Sequence, residues 1–240
     1  MRFDYDFFIN IIKMIQHQGY TFCRFDQPGI SGHKTCYLRH DVDISPYSAI
    51  KMGELEYAMG IKANYFFQIG AETYNIFNPR VVNIMRQLRN NEHCVGLHLD
   101  KTASRDEQVM LNTYKWFNST ITKIDRVVSF HQPTQEALFK KLQNSLISAY
   151  SSDFFAVDCY FSDSRRNIEF YSRLEKWLKE DRAILQILLH PEWWYPEADK
   201  KRFAEILIER KTLELKEYLK NDLGNYFGDV FDKDDYVFKI

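Results

Sequence analysis

Asp41 and Asp43 stand two residues apart in His40-Asp41-Val42-Asp43, to which the strand-like run Thr35 to Leu38 leads. In an extended chain residues two apart share a face, so both carboxylates point to one side and Val42 to the other. Adjacent carboxylates repel, and the pair is tolerable where a cation lies between them or where one stays protonated. That suits one as a metal ligand and the other as a general base. Asp is also a good helix cap, and a helix opens at Pro46, so capping is the bland alternative. His98 ends the apolar run Val95-Gly96-Leu97-His98, where a neutral imidazole can hold Zn2+, Fe2+ or a similar ion or can be a satisfied core histidine. The paired aspartates favour the metal. His93 starts the same run and is expected at its opposite end, with a structural role. His131, in Ser129-Phe130-His131-Gln132-Pro133, either supplies a third ligand or orients the carboxylate that acts as base. His190 ends the run Ala183 to His190 and is placed to protonate a leaving group. Beyond it, Trp193 and Trp194 form either a platform for a sugar ring or part of the core. Asp163 joins them as a candidate substrate contact.

These residues need elements to position them, and the pattern supplies an alternation of strands and helices. Phe8, Ile11, Ile12 and Ile15 mark a first helix, followed by an extended piece from Tyr20 to Phe25. Ser45-Pro46 opens a helix with Met52, Leu55 and Met59 on one face and Gly60 at its stop. Ala63 to Ile69 reads as a strand, a helix follows Asn78-Pro79, and His93 to His98 runs extended. A helix with Met110, Tyr114 and Phe117, a strand Arg126 to His131, and a helix after Pro133-Thr134 come next. The pattern closes with a strand Val157 to Phe161, a helix with Phe170, Leu174, Trp177 and Leu178, and the strand Ala183 to His190. Near-continuous apolar strands between helices predict a parallel α/β fold, a barrel in preference to an open sheet. Asp41, Asp43, His98, His131, Asp163 and His190 then all fall at the carboxyl ends of strands, the rim where such barrels carry their active sites. With no Gly/Ser/Pro-rich linker, residues 1–240 are expected to form one domain, an amino-terminal segment 1–34 and an amphipathic outer helix 196–225 packing on the barrel.

His40-Asp41-Val42-Asp43, Val95-Gly96-Leu97-His98, Phe130-His131-Gln132-Pro133, Asp163-Ser164 and Leu188-Leu189-His190 occur in this order, and over about residues 35 to 195 the chain resembles the NodB-type polysaccharide deacetylases, carbohydrate esterase family four. The resemblance implies a distorted, partly open (β/α)7 barrel that removes acyl groups from amino sugars with a divalent metal. It implies Asp41 as general base, Asp43 and His98 as metal ligands and His190 as general acid. Where the family usually carries a second metal histidine, four residues after the first, this chain has Thr102, so that Asp100 or His131 takes that place. The set expected for an active enzyme is Asp43, His98 and His131, around Zn2+ first, with Fe2+, Mn2+, Co2+ or Ni2+ as substitutes. The arginine that pairs with the base in the family's third motif is also missing, and His131 stands about there.

Composition narrows the partners. The 240 residues are 45% hydrophobic and 27% charged, and 32 Lys plus Arg against 33 Asp plus Glu leave a formal net charge of -1. Such a chain has no field to gather a nucleic acid. No apolar run reaches the length of a membrane span, and no export signal is recognisable, which sets the expectation of a cytoplasmic protein. Its four cysteines lack the short spacing of a zinc knuckle or redox pair. Peptidase, serine hydrolase, P-loop and dinucleotide signatures are absent. The expected substrate is an N-acetyl or N-formyl amino sugar, free or carried on a nucleotide or lipid in bacterial surface-glycan assembly. The rival from another class is a carbohydrate-binding relative without turnover, and a third reading is a metal hydrolase of another amide.

Overall fold

A computed structural model describes residues 3–29, 32–101, 103–143, 145–164, 169–194 and 200–227. The chain divides into two compact units, Phe3–Trp194 and Tyr195–Ile240. The first contains the strands β1 (Thr21–Phe22), β2 (Thr35–Val42), β3 (Asn64–Gln68), β4 (Cys94–Leu99), β5 (Val127–Phe130), β6 (Ile147–Ser148), β7 (Tyr160–Ser162) and β8 (Ile184–Leu189). Its helices are α1 (Tyr5–His17), α2 (Pro46–Ala58), α3 (Pro79–Asn90), α4 (Glu107–Thr120) and α5 (Glu169–Leu178). The second contains α6 (Lys200–Asp222) and the short α7 (Gly224–Phe227). None of the described side chains of α6 is fully buried, and no described helix is long and apolar enough to cross a membrane.

All strand pairs are parallel, in the order β6-β5-β4-β3-β2-β8-β7, with β1 beside β2. The last strand, β8, returns to pair with β2, so the path runs around a barrel whose ladder is open between β6 and β7. This is the expected parallel α/β barrel, curled into an open half-barrel. Side chains bridge the opening: Gln186 Nε2 on β8 donates to the carbonyls of Ala149 and Phe154, just past β6.

Every residue of β2 is buried because both faces of the sheet are covered. Leu38, Val42, Phe67, Leu97, Val128 and Ile187 face the helices in the larger core, while Tyr37, Phe66, Cys94 and Val127 line the barrel with Phe25, Ala149 and Phe154. The alternation carries Arg39 and Asp41, two and four residues past Tyr37, up the inner face toward the carboxyl rim. Helix starts are fixed locally: Asp4, Ser45, Asn78 and Asp106 cap α1 to α4 through their side chains, and Pro46 and Pro79 occupy first turns. Ser45 caps α2, so the aspartate pair is free of the capping role.

One expected element is absent. After Pro133-Thr134 the chain makes only a three-residue 3-10 turn, Gln135–Ala137, and then takes positive φ at Phe139, where an isolated bridge to Ser151 draws it to the barrel. Tertiary pairing overrides the local helical pattern there. The strand β6, which follows, carries no apolar run long enough to announce it.

Candidate active site

Along the inner face of β2, Arg39 and Asp41 lie side by side and fully buried. Arg39 Nε donates to Asp41 Oδ1 at 2.8 Å and Arg39 Nη2 to Asp41 Oδ2 at 2.7 Å, a bidentate pair. Arg39 Nη2 also donates to the Tyr150 hydroxyl at 3.0 Å, with the guanidinium over that ring. Burial works to raise the Asp41 pKa, and Arg39 overrides it, holding the carboxyl down at about 2. Arg39 thus supplies the cation that the third motif lacks. Its signal was available in the sequence, since a residue two before Asp41 on a strand shares its face.

Register sets the next pair. His98 on β4 stands opposite Ser129 on β5, and its Nδ1 is 2.6 Å from Ser129 Oγ. Its Nε2 faces Asp43 Oδ1 at 3.4 Å and Asp41 Oδ2 at 3.6 Å. Burial, opposed by Asp41 and reinforced by Arg39, His131 and His190, holds the His98 pKa at about 3, so the ring is neutral. Asp43, just past β2, is mostly buried, and its Oδ1 has no hydrogen-bond partner among the described residues. Burial and the neighbouring Asp41 raise its pKa.

His190 follows β8 and meets Asp43 from the other side, with Nε2 at 3.7 Å from Asp43 Oδ2. Asp163, past β7, accepts from the His190 backbone N–H at 2.9 Å and from Trp194 Nε1 at 2.9 Å, and its Oδ1 lies 2.6 Å from His190 Nδ1. Burial alone would depress the His190 pKa, and Asp163 reverses this, lifting it to about 9. The indole of Trp193 stacks on the His190 ring, with centroids 4.5 Å apart and planes at 18°. Glu192, beside them in sequence, is fully buried with neither carboxyl oxygen partnered among the described residues, and burial pushes its pKa up to about 8.

Two candidate substrate contacts are corrected. Trp194 has no exposed surface and packs against Phe3, Phe7 and Phe8, while Asp163 is equally buried and spends its oxygens on His190 and Trp194. Neither can touch a sugar; both position His190. Trp193 keeps a half-buried ring at the site. His93 is structural as expected, buried with Nδ1 accepting from the Ala63 N–H and Nε2 beside the Gly53 carbonyl. Asp100 is exposed and its carboxyl accepts from the Ala103 N–H at 2.8 Å, in the turn after β4. Thr102 lies outside the described residues.

Adjacent ligands of a tetrahedral ion with bonds of about 2.0–2.1 Å lie roughly 3.3–3.4 Å apart. Asp43 Oδ1 and His98 Nε2, at 3.4 Å, meet this, and the oxygen is the orphaned one. Among the described residues, however, no group of three or more His, Cys, Asp or Glu side chains is arranged to hold a metal ion. His131 lies next to His98, with ring centroids 5.5 Å apart, and its Nδ1 meets Gln68 Nε2 at 3.3 Å. The expected triad is therefore a fitted pair with His131 beside it.

No protein-family model and no curated protein matches the sequence. Similar solved structures include members of carbohydrate esterase family 4 and a peptidoglycan deacetylase. A pseudoenzyme of that family from Bacillus anthracis shares 11% identity over 78% of this chain and 63% of its own, with a TM-score of 0.45. This chain thus spans under two thirds of that protein. The catalytic domain of a peptidoglycan N-acetylglucosamine deacetylase from Eubacterium rectale is 13% identical over 78% of this chain and 87% of its own, with a TM-score of 0.42. A family 4 carbohydrate esterase from Bacillus anthracis is 14% identical over 85% of both chains, with a TM-score of 0.43.

Proposed function

We propose that the protein is a divergent NodB-type hydrolase that removes an N-acyl group, acetyl or formyl, from an amino sugar. The observation that carries this reading is the pairing of Asp41 with Arg39 and of His190 with Asp163, with Asp43 and His98 between them, an arrangement that lowers the pKa of Asp41 and raises that of His190. Groups whose surroundings drive their pKa values apart are matched to base and acid roles.

Asp43 and His98 would hold a divalent ion, Zn2+ first, with His131 as third ligand. When bound, such an ion polarises the acyl carbonyl and acidifies the attacking water. Asp41 receives the water proton, and Arg39 keeps that carboxylate oriented and ionised at the expense of some basicity. His190 has Nδ1 engaged by Asp163, so its Nε2 proton goes to the departing amine. Trp193, stacked on His190, offers its remaining surface to the sugar ring. The substrate proposed is an N-acyl amino sugar, free or carried on a nucleotide or lipid in surface-glycan assembly.

A sugar-binding protein without turnover is the second reading, favoured by the lack, among the described residues, of a third donor gathered around Asp43 and His98. Elemental mass spectrometry on tag-free protein, dialysed against metal-free buffer and then offered Zn2+, separates the two. Near one equivalent per chain, lost in His98→Ala, supports the hydrolase, and equal loss in His131→Ala makes His131 a ligand. A chain that takes up no ion sinks the hydrolase reading.

A further inference from the structure

Ser129 touches both halves of the site, and its hydroxyl has a single proton to give. Its Oγ is 2.6 Å from His98 Nδ1 and 3.4 Å from Asp41 Oδ1, and it is fully buried, so no solvent competes for that proton. Two arrangements satisfy it. In one, Ser129 donates to His98 Nδ1, which puts the ring proton on Nε2. In the other, Ser129 accepts from His98 Nδ1–H and donates to Asp41, which leaves Nε2 bare.

Two observations favour the second. Asp41 already receives two N–H groups from Arg39 and is therefore an acceptor for Ser129 as well. A proton on Nε2 would face Asp43 Oδ1 across a nitrogen–oxygen distance of 3.4 Å without a hydrogen bond to it, since that buried oxygen has no hydrogen-bond partner among the described residues. A bare Nε2 beside two carboxylate oxygens is an unfavourable arrangement that a cation relieves.

We propose that Ser129 is a positioning residue that holds His98 in its Nδ1–H tautomer, linking it to Asp41 and leaving the Nε2 lone pair free for a divalent cation. The role of that lone pair rests on the metal-site reading above; the tautomer itself is measurable without metal. Outer partners that fix a ligating histidine in this way commonly contribute about 10- to 100-fold to metal affinity.

The test is long-range 1H–15N correlation spectroscopy on the 15N-labelled, metal-free full chain, with His98 assigned by loss of its signals in His98→Gln. A protonated Nδ1 and an unprotonated Nε2 are expected in the native chain. Ser129→Ala should move the proton to Nε2 and weaken Zn2+ binding about 10- to 100-fold, and Ser129→Thr, which keeps the hydroxyl, should restore both. An Nε2–H tautomer in the native chain overturns the proposal without any variant being needed. So does a folded Ser129→Ala with unchanged tautomer. If the tautomer behaves as expected and the native chain binds no Zn2+, the Ser129 assignment stands and the metal reading falls.

Discussion

Asp163 collects the His190 backbone N–H, the His190 ring and the Trp194 indole on one fully buried carboxylate, which leaves His190 Nε2 as the ring's only outward-facing nitrogen. The imidazolium is thereby favoured in the folded chain. Because the folded pKa, about 9, lies above the ordinary value, the stability it contributes is full below about 6.5 and is lost as pH rises through about 9. Asp163→Asn removes the charge, and burial is then opposed only by the weaker influence of Asp41 and Glu192. In an NMR titration the His190 ring of the native chain should titrate near 9, and in Asp163→Asn near or below 6.5. An unchanged value in the variant would remove Asp163 from this role. The places of Asp43, His98, His131 and His190 at or just past strand ends were legible because each closes a strand-like run. Arg39 becomes legible only when the strand is carried past Leu38 to Val42, so that it shares a face with Asp41, and the burial of Asp163 and Trp194 at a strand end does not show in residue type.

Strand register brings His98 to Ser129, and Gly96 makes that register possible. On the inner face of β4, a methyl at Gly96 would lie 2.3 Å from the Val127 carbonyl oxygen and 2.5 Å from Val127 Cγ2. The obstacle is largely backbone, so β5 would have to move, two residues before the His98 and Ser129 pair. Gly96→Ala should cost about 1–3 kcal/mol in denaturant unfolding, as overpacking does, and weaken Zn2+ uptake through the displaced Ser129. Native-like uptake by the variant would show that the site does not depend on this close approach. The sequence pattern announced five of the long strands and α1 to α5 through their periodicity. It failed after Pro133-Thr134, where Ala137 and Leu138 among polar residues mimic a helix but Phe139 adopts positive φ to reach Ser151. Local pattern cannot foresee a long-range bridge.

Across the whole barrel unit, the amino-terminal helix is tied to the proposed acid at the other end of the sequence. Phe3, Phe7 and Phe8 pack on the Trp194 indole with centroids at 5.2, 6.0 and 5.7 Å, Trp194 donates to Asp163, and Asp163 holds His190. Phe8 and Trp194 have no exposed surface, so truncating Phe8 opens a cavity against the indole. Phe8→Ala should cost about 3–5 kcal/mol, and a loosened Trp194 should let the His190 pKa fall from about 9 toward its ordinary value. A loss of stability alone does not prove the link, and Phe117→Ala provides the comparison. Phe117 on α4 is equally buried and packs in the same helix-facing core, but its ring neighbour is Phe77, with no place in the chain of contacts to His190. Its truncation should cost a similar amount in unfolding while leaving the His190 titration where it is. If both variants lower the His190 pKa equally, the effect is general softening of the barrel. If Phe8→Ala alone lowers it, the amino-terminal helix acts on the proposed acid through Trp194 and Asp163.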